Sequence, residues 1–178
     1  TVFFLPNLIG CIVLSYIWLM IFNSVLSNFS KTIVSTQWYA FWGMIIVVCW
    51  QQIGYMMIIY IAGIQNIPGE LIEAAQIDGA NSWQLLRYVT LPMLMPTITI
   101  CTFLTLTNGF KLFDQNFALT GGNPAKMSQL LALNIYDTMY GTTGWQGVGQ
   151  AKAVIFFILV AVIALIQNKL TTSKEVQD

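Results

Sequence analysis

Four long apolar runs, residues 2–22, 38–64, 93–111 and 148–167, alternate with polar stretches along the chain. A bilayer core of about 30 Å needs roughly 20 apolar residues in a helix. Within each run the apolar side chains occupy the whole helical circumference rather than one stripe, which separates these runs from amphipathic surface helices. The pattern predicts four membrane helices in an all-α integral membrane protein, a polytopic helical bundle. The first two runs carry no charge, and the second opens on Trp38, Tyr39 and Trp42, as an interfacial aromatic belt does. The third follows Pro92 and contains Pro96. The fourth carries Lys152 one turn inside its start, where a lysine is expected to snorkel to the headgroups.

The connections differ in kind. Residues 23–37 are rich in Ser, Asn and Thr. Residues 113–147 form the longest loop, with a turn signal at Thr120–Pro124, a helical stretch expected over 127–140 on or in the outer leaflet, and a glycine-rich end. The polar tail, 168–178, is expected to fray. Residue 1 is Thr and enters an apolar run with no charged leader or cleavage site, so the run does not read as a signal peptide; the N-terminal part of a longer protein is expected to be absent. Basic residues divide almost evenly between the two sets of loops: Arg87, Lys169 and Lys174 on one side, Lys31 and Lys126 on the other with Lys111 and Lys152 near its boundary. Charge alone therefore does not orient the chain.

The polar stretch 68–90 stands apart. It holds Glu70, Glu73 and Asp78, three of the seven acidic residues, and the only arginine, Arg87. Pro68 suits a first helical turn, and Glu70 and Glu73 sit where the helix dipole favours negative charge. Leu71, Ile72 and Ala75 share one side, and Gly79 fits a left-handed C-cap. Asn81 then caps a second helix with Gln84 as its box partner, until Pro92 interrupts the hydrogen-bond ladder. The spacing predicts two short helices around a glycine elbow lined by Ala74, Ala75, Gly79 and Ala80. By itself this leaves two readings: a loop that happens to be helical, or a knob on which a soluble partner docks.

Composition narrows the chemistry. The chain of 178 residues is 57% apolar and 8% charged, against about 25% charged in a soluble domain. Net charge is zero, so no basic patch points to nucleic acid. There is no histidine, which removes most hydrolytic triads and zinc sites. Cys11, Cys49 and Cys101 lie far apart in apolar runs and read as buried thiols. "GGNPAK", 121–126, lacks the spacing of a phosphate-binding loop. An integral-membrane enzyme is disfavoured, since no paired carboxylates lie within the spans.

Glu73-Ala74-Ala75, Gly79, Val89 and Leu91-Pro92 fall at the spacings of the EAA signature, with Val89 where isoleucine is usual. Residues 64–94, with Pro68, Glu70, Asp78, Ala80 and Trp83, resemble the carbohydrate branch of the permease subunits of bacterial ABC importers. "FKLFDQNFALTGGNP…LALNIYDTMY" and "FLPNLIG" resemble further segments of sugar permeases of the maltose, raffinose and glycerol-phosphate type. The resemblance implies one partial type I importer transmembrane domain over 1–178, carrying spans three to six of about six. It implies a multi-pass protein of the bacterial inner (cytoplasmic) membrane, with coupling helices 68–90 in the cytoplasm and the loop 113–147 outside. Implied partners are two ABC ATPase subunits, a second and usually different permease, an extracytoplasmic solute-binding protein and a sugar. ATP and Mg²⁺ would be bound by the ATPase, leaving this chain without a cofactor, metal or catalytic residue. Glu73, Ala74, Ala75, Asp78, Gly79 and Ala80 become the coupling contacts, with an internal cap as the alternative for Asp78. A permease for a non-sugar solute such as glycerol phosphate, or a non-transport scaffold, remain the alternative readings.

Polar groups at membrane depth usually face protein or a cavity. Trp50, Gln51, Gln52, Thr102 and Asn108 are therefore the candidates for the substrate path, in a pattern of hydroxyls that includes Thr99 and Thr105. Aromatic faces with amides and hydroxyls suit a neutral sugar. The alternatives are threonines bonded back to their own backbone and glutamines joining neighbouring helices. Lys111 and Asp114, spaced i, i+3, are expected to form an ion pair.

Overall fold

The computed structural model describes residues 4–172 and is all-helical over them. Helices α1 (Leu5–Leu8), α2 (Cys11–Ser27) and α3 (Gln37–Gln65) are followed by α4 (Gly69–Ile77) and α5 (Ser82–Leu85). A π-helical turn (Leu86–Thr90) leads to α6 (Leu91–Met93), α7 (Met95–Phe110), α8 (Phe113–Leu119), α9 (Leu131–Tyr140) and α10 (Gln146–Thr172). Lys174 and the tail beyond Thr172 lie outside the described residues, as does the start of the first predicted span.

Among the described residues two helices are long and apolar enough to cross a bilayer, Gln37–Gln65 and Gln146–Thr172, over the second and fourth apolar runs. A third qualifies only as a bent pair, Ser82–Met93 with Met95–Phe110, kinked by 66°. The expectation of four such helices is corrected at the first run. Ile9 and Gly10 take extended ψ values of 131° and 135°, which break the run after α1. The 17 residues of α2 extend about 25 Å at 1.5 Å per residue. That helix also starts later than predicted and continues to Ser27, past the expected end at residue 22.

The chain forms two compact units. The first comprises Thr1–Tyr55 and Asn108–Val160. Its core is Leu14, Ile33, Met44, Val47 and Leu119, with Trp18, Phe22 and Leu130 packed against it. Gly43 permits this: a Cβ there would stand 2.6 Å from the Ile33 Cδ1. The Ile33 N–H donates to the Asn23 Oδ1 at 3.0 Å and pins the loop after α2. Helix α8, not foreseen in the 113–147 loop, buries Gln115, Asn116, Ala118 and Leu119. The helix expected at 127–140 begins four residues later, at Leu131, after Ala125 and Lys126 take left-handed φ values of 49° and 64°. Lys152 does not snorkel. Its Nζ donates to the Asn134 Oδ1 and the Thr138 Oγ1, both at 2.8 Å, tying α10 to α9.

The second unit comprises Met56–Thr107 and Ala161–Asp178. Among the described residues its buried apolar side chains are few: Ile67, Leu94 and Cys101. Pro92 was expected to end the helix begun at Ser82, but the chain passes through it. The Leu91 N–H reaches back to the Leu86 carbonyl, an i to i−5 bond. This wider turn opens the backbone where the proline ring would strike the carbonyl of the preceding turn. The bend falls two residues later, at Leu94 with ψ −5°.

The outer faces complete the picture. Only 6% of the most apolar window of α10 is buried within the fold. Val154, Ile155, Phe157, Ile158 and Leu165 are exposed along it. A surface of this kind has a hydrocarbon solvent.

Candidate functional site

The elbow of the second unit is built by local backbone chemistry. Asp78 is the C-cap of α4, and Gly79 follows at φ +80°. The Ala80 N–H bonds to the Ala75 carbonyl and the Gly79 N–H to the Gln76 carbonyl, both at 3.0 Å, the two bonds of a Schellman motif. Asn81 then starts α5 with a reciprocal capping box: Gln84 N–H to Asn81 Oδ1, and Asn81 N–H to Gln84 Oε1, both 2.9 Å. Pro68 stands one position earlier than expected, as the N-cap of α4. A Cβ on Gly79 would meet nothing within 4 Å, so within the chain the glycine answers to its φ alone.

This elbow has no interior of its own: α4 and α5 contain no buried residue. Glu73, Ala74, Asp78 and Gly79 are exposed, and Ala75 and Ala80 are half-buried. Neither the Glu73 nor the Asp78 carboxylate has a hydrogen bond or ion pair among the described residues, so Asp78 does not cap through its side chain. Ile77 is 86% exposed and Trp83 67%. Ile77 falls between the signature positions Ala75 and Gly79 and matches none of them. Its place off the face shared by Leu71, Ile72 and Ala75 was the available signal.

The first unit holds a polar cleft of about 330 Å³. Gln51, Gln52 and Asn108 line it, together with Asn7, Lys111, Asp114 and Gln115. Gln51 is the central residue of the 29-residue α3 and is 4% exposed. Its Oε1 accepts from the Gln115 Nε2 at 3.0 Å, and its Nε2 donates to the Cys11 Sγ at 3.4 Å. One amide thus joins α2, α3 and α8. By contrast, the side chains of Gln52, Asn108, Lys111 and Asp114 have no hydrogen-bond partner among the described residues. The expected Lys111–Asp114 ion pair is absent for a structural reason. α7 stops at Phe110 and α8 starts at Phe113, so the i, i+3 rule for one helix does not apply.

The remaining candidates lie elsewhere. Trp50 does not line the cleft; its ring stands edge-on to Trp18 at 5.4 Å. Thr102 lines a separate cleft of about 300 Å³ in the second unit, with Tyr60, Cys101 and Thr105. Thr99 and Thr105 spend their hydroxyls on the carbonyls of Met95 and Cys101 at 3.0 and 2.8 Å. Asn7 and Gln115 reach the cleft by packing, and no spacing in the sequence marks them as lining residues.

Behind the cleft Asn116, fully buried, acts as a hub. Its Nδ2 donates to the Ser128 carbonyl at 2.8 Å and the Thr120 Oγ1 at 3.0 Å. Its Oδ1 accepts the Leu130 N–H at 2.9 Å. The loop after α8 is thereby folded back onto α8.

A lipid-solvated helical bundle with an unpartnered polar elbow defines a polytopic membrane protein that is all-α. Residues 1–174 match the family described as binding-protein-dependent transport system inner membrane component. The chain belongs to that family and is a multi-pass protein of the inner membrane. It is 49% identical, over 99% of its length and 63% of the relative's, to a probable starch degradation products transport system permease of Thermoanaerobacterium thermosulfurigenes. It is 34% identical, over 98% of its length and 63% of the relative's, to a multiple sugar-binding transport system permease of Streptococcus mutans. The crystal structure of a bacterial ABC transporter involved in importing alginate shares the fold, with a TM-score of 0.81 and 22% identity, over 96% of this chain and 63% of that one. The chain thus spans somewhat less than two thirds of these relatives.

Proposed function

We propose that this chain is part of the permease subunit of a bacterial carbohydrate ABC importer, one of two permeases that form the path for a sugar. It transports and does not catalyse; ATP and Mg²⁺ are bound by two partner ATPase subunits, and a solute-binding protein delivers the sugar from outside. The observation that carries this reading is the 49% identity, along nearly the whole chain, to a permease named for starch degradation products. On this reading α3, α10 and the bent segment from α5 to α7 are spans of one partial transmembrane domain. The elbow 73–92 is then cytoplasmic and the segment 113–147 external.

The mechanism follows from the two sites. A knob with no buried side chain is stabilised when a partner covers it. Glu73 and Asp78 offer charge to that partner, Ile77 and Trp83 offer apolar anchors, and the capped elbow transmits force where a loose loop would absorb it. ATP-driven closure of the ATPases then moves the elbow and the bent helix that follows it. In the first unit the free amides of Gln52 and Asn108 supply donors and acceptors for sugar hydroxyls. The glycerol-phosphate reading has one observation in its favour, the unpaired Lys111 on the cleft. Asp114 lines the same cleft and opposes an anion, so a neutral polyhydroxyl solute fits better.

The test is purification of the full-length subunit expressed with its neighbouring transport genes, followed by uptake in proteoliposomes. The expected result is co-purification of an ATPase subunit and ATP-dependent uptake of malto-oligosaccharides. A subunit that retains no ATPase, or vesicles that take up no sugar, would refute the proposal.

A further inference from the structure

Helix α8 turns Gln115, Asn116, Ala118 and Leu119 inward, which leaves Phe113, Asp114 and Phe117 on its outer side. Phe113 and Phe117 stack with ring centroids 5.7 Å apart and planes 16° from parallel. Tyr136, from α9, packs on Phe113 at 5.1 Å, and Tyr140 follows at 5.0 Å. These four rings form a continuous aromatic row across two helices. It remains open: Phe117 is 45% exposed, Tyr136 41% and Tyr140 73%. The two phenol groups have no hydrogen-bond partner among the described residues.

Exposed aromatics in such a protein ordinarily face lipid headgroups. Asp114 argues against that here. It shares the outer side of α8 with Phe113 and Phe117, lines the polar cleft, and has no cation or donor among the described residues. An unpaired carboxylate facing hydrocarbon is costly, so the end of the row beside Asp114 opens to the polar cleft. The row also begins where the cleft ends, because Leu112, Asp114 and Gln115 on either side of Phe113 line the cleft.

We infer that Phe113, Phe117, Tyr136 and Tyr140 form an external stacking platform that receives the sugar rings of an oligosaccharide and leads them to the cleft. The inference rests on the proposed sugar import. A pyranose presents C–H groups on one face, and the negative face of an aromatic ring attracts them. The unpaired phenols accept from and donate to the hydroxyls at the ring edge, and the Asp114 carboxylate accepts from them. A row of rings serves a chain of sugars, so the platform favours longer substrates over short ones.

The test uses the assembled importer in proteoliposomes, with maltose and maltoheptaose as probes. Phe117→Leu and Tyr140→Leu keep apolar bulk and remove the ring face. Each is expected to raise KM for maltoheptaose uptake roughly two- to tenfold, the range set by one aromatic contact, and to change maltose uptake less. Phe117→Trp should retain the preference for the longer sugar. Equal behaviour of the variants and the unmodified importer toward both sugars overturns the platform alone. So does loss of the second permease from the purified Phe117→Leu complex, which would make this row a subunit contact. An unmodified importer that carries neither sugar overturns the transport reading and the platform with it.

Discussion

The elbow and the cleft solve opposite problems. At the elbow, hydrogen bonds made within about a dozen residues set the turn, and no side chain is buried. At the cleft, side chains distant in sequence hold one another. Gln51 and Gln115 bond across 64 positions, Gln51 and Cys11 across 40, Asn116 and Met44 across 72. The elbow is a shape set by its own neighbouring residues. The cleft is a shape that exists only once its unit has folded.

The largest effect should come from the bare side of that comparison. Glu73 is exposed and unpartnered, so Glu73→Lys leaves folding untouched while placing a like charge against whatever cation the partner offers. Uptake and substrate-stimulated ATP hydrolysis by the assembled importer should fall to background. Membrane insertion and melting temperature should match the unmodified protein. Normal transport by the lysine variant would remove Glu73 from the coupling contact and weaken the contrast between the two regions.

Asn116→Ala strikes the other side. It strips partners from the half-buried Leu130 N–H and the Ser128 carbonyl, while the Thr120 hydroxyl keeps the Asn116 carbonyl and the Ser128 hydroxyl. Each buried group left unpaired costs about 1–3 kcal/mol, so a loss of about 3 kcal/mol is expected, visible as a fall in the melting temperature of the detergent-solubilised complex. Retained stability would mean that side-chain ties do not hold the cleft together.

What was legible follows the same division. The glycine turn at Gly79 and the box between Asn81 and Gln84 could be read because both are codes written within a few residues. The second and fourth spans were legible because hydropathy over a long window needs no knowledge of neighbours. α8 was not legible, since its seven residues include Asp114, Gln115 and Asn116 and only burial against α2 and the core makes them helical. Nor was the break at Ile9–Gly10 within an unbroken apolar run, nor the fate of Lys152, whose ligands arrive from α9. The substrate-path residues were chosen by type, and type does not separate Gln51 from Gln52. Only the bonds to Gln115 and Cys11 do that.

Those two adjacent glutamines sharpen the comparison inside one turn of helix. Gln51→Leu should lower thermal stability by about 1–3 kcal/mol, because it leaves the buried Gln115 amide without its acceptor. Gln52→Leu should leave stability within about 0.5 kcal/mol and raise KM for sugar uptake roughly tenfold, as expected for a lost hydrogen bond to a ligand. The pair is measured together by thermal melts and uptake. If both variants lose stability and neither changes KM, the cleft is only a packing defect.

The smallest effect, at Gly79, asks whether the elbow is shaped by its own backbone alone. Alanine at φ +80° costs about 1 kcal/mol in strain, and it meets nothing within 4 Å in this chain. Asparagine tolerates the left-handed region better than alanine, though it is larger. Were the conformation the only requirement, Gly79→Asn would transport better than Gly79→Ala. A partner surface lying against the elbow reverses that order, because a larger side chain then intrudes on the contact. The reversed order is expected: uptake about fivefold down for alanine, in keeping with about 1 kcal/mol, and lower still for asparagine. Uptake rates of the two variants at matched ATPase occupancy decide it. The conformational order, asparagine above alanine, would mean that Gly79 sets the turn and touches no partner.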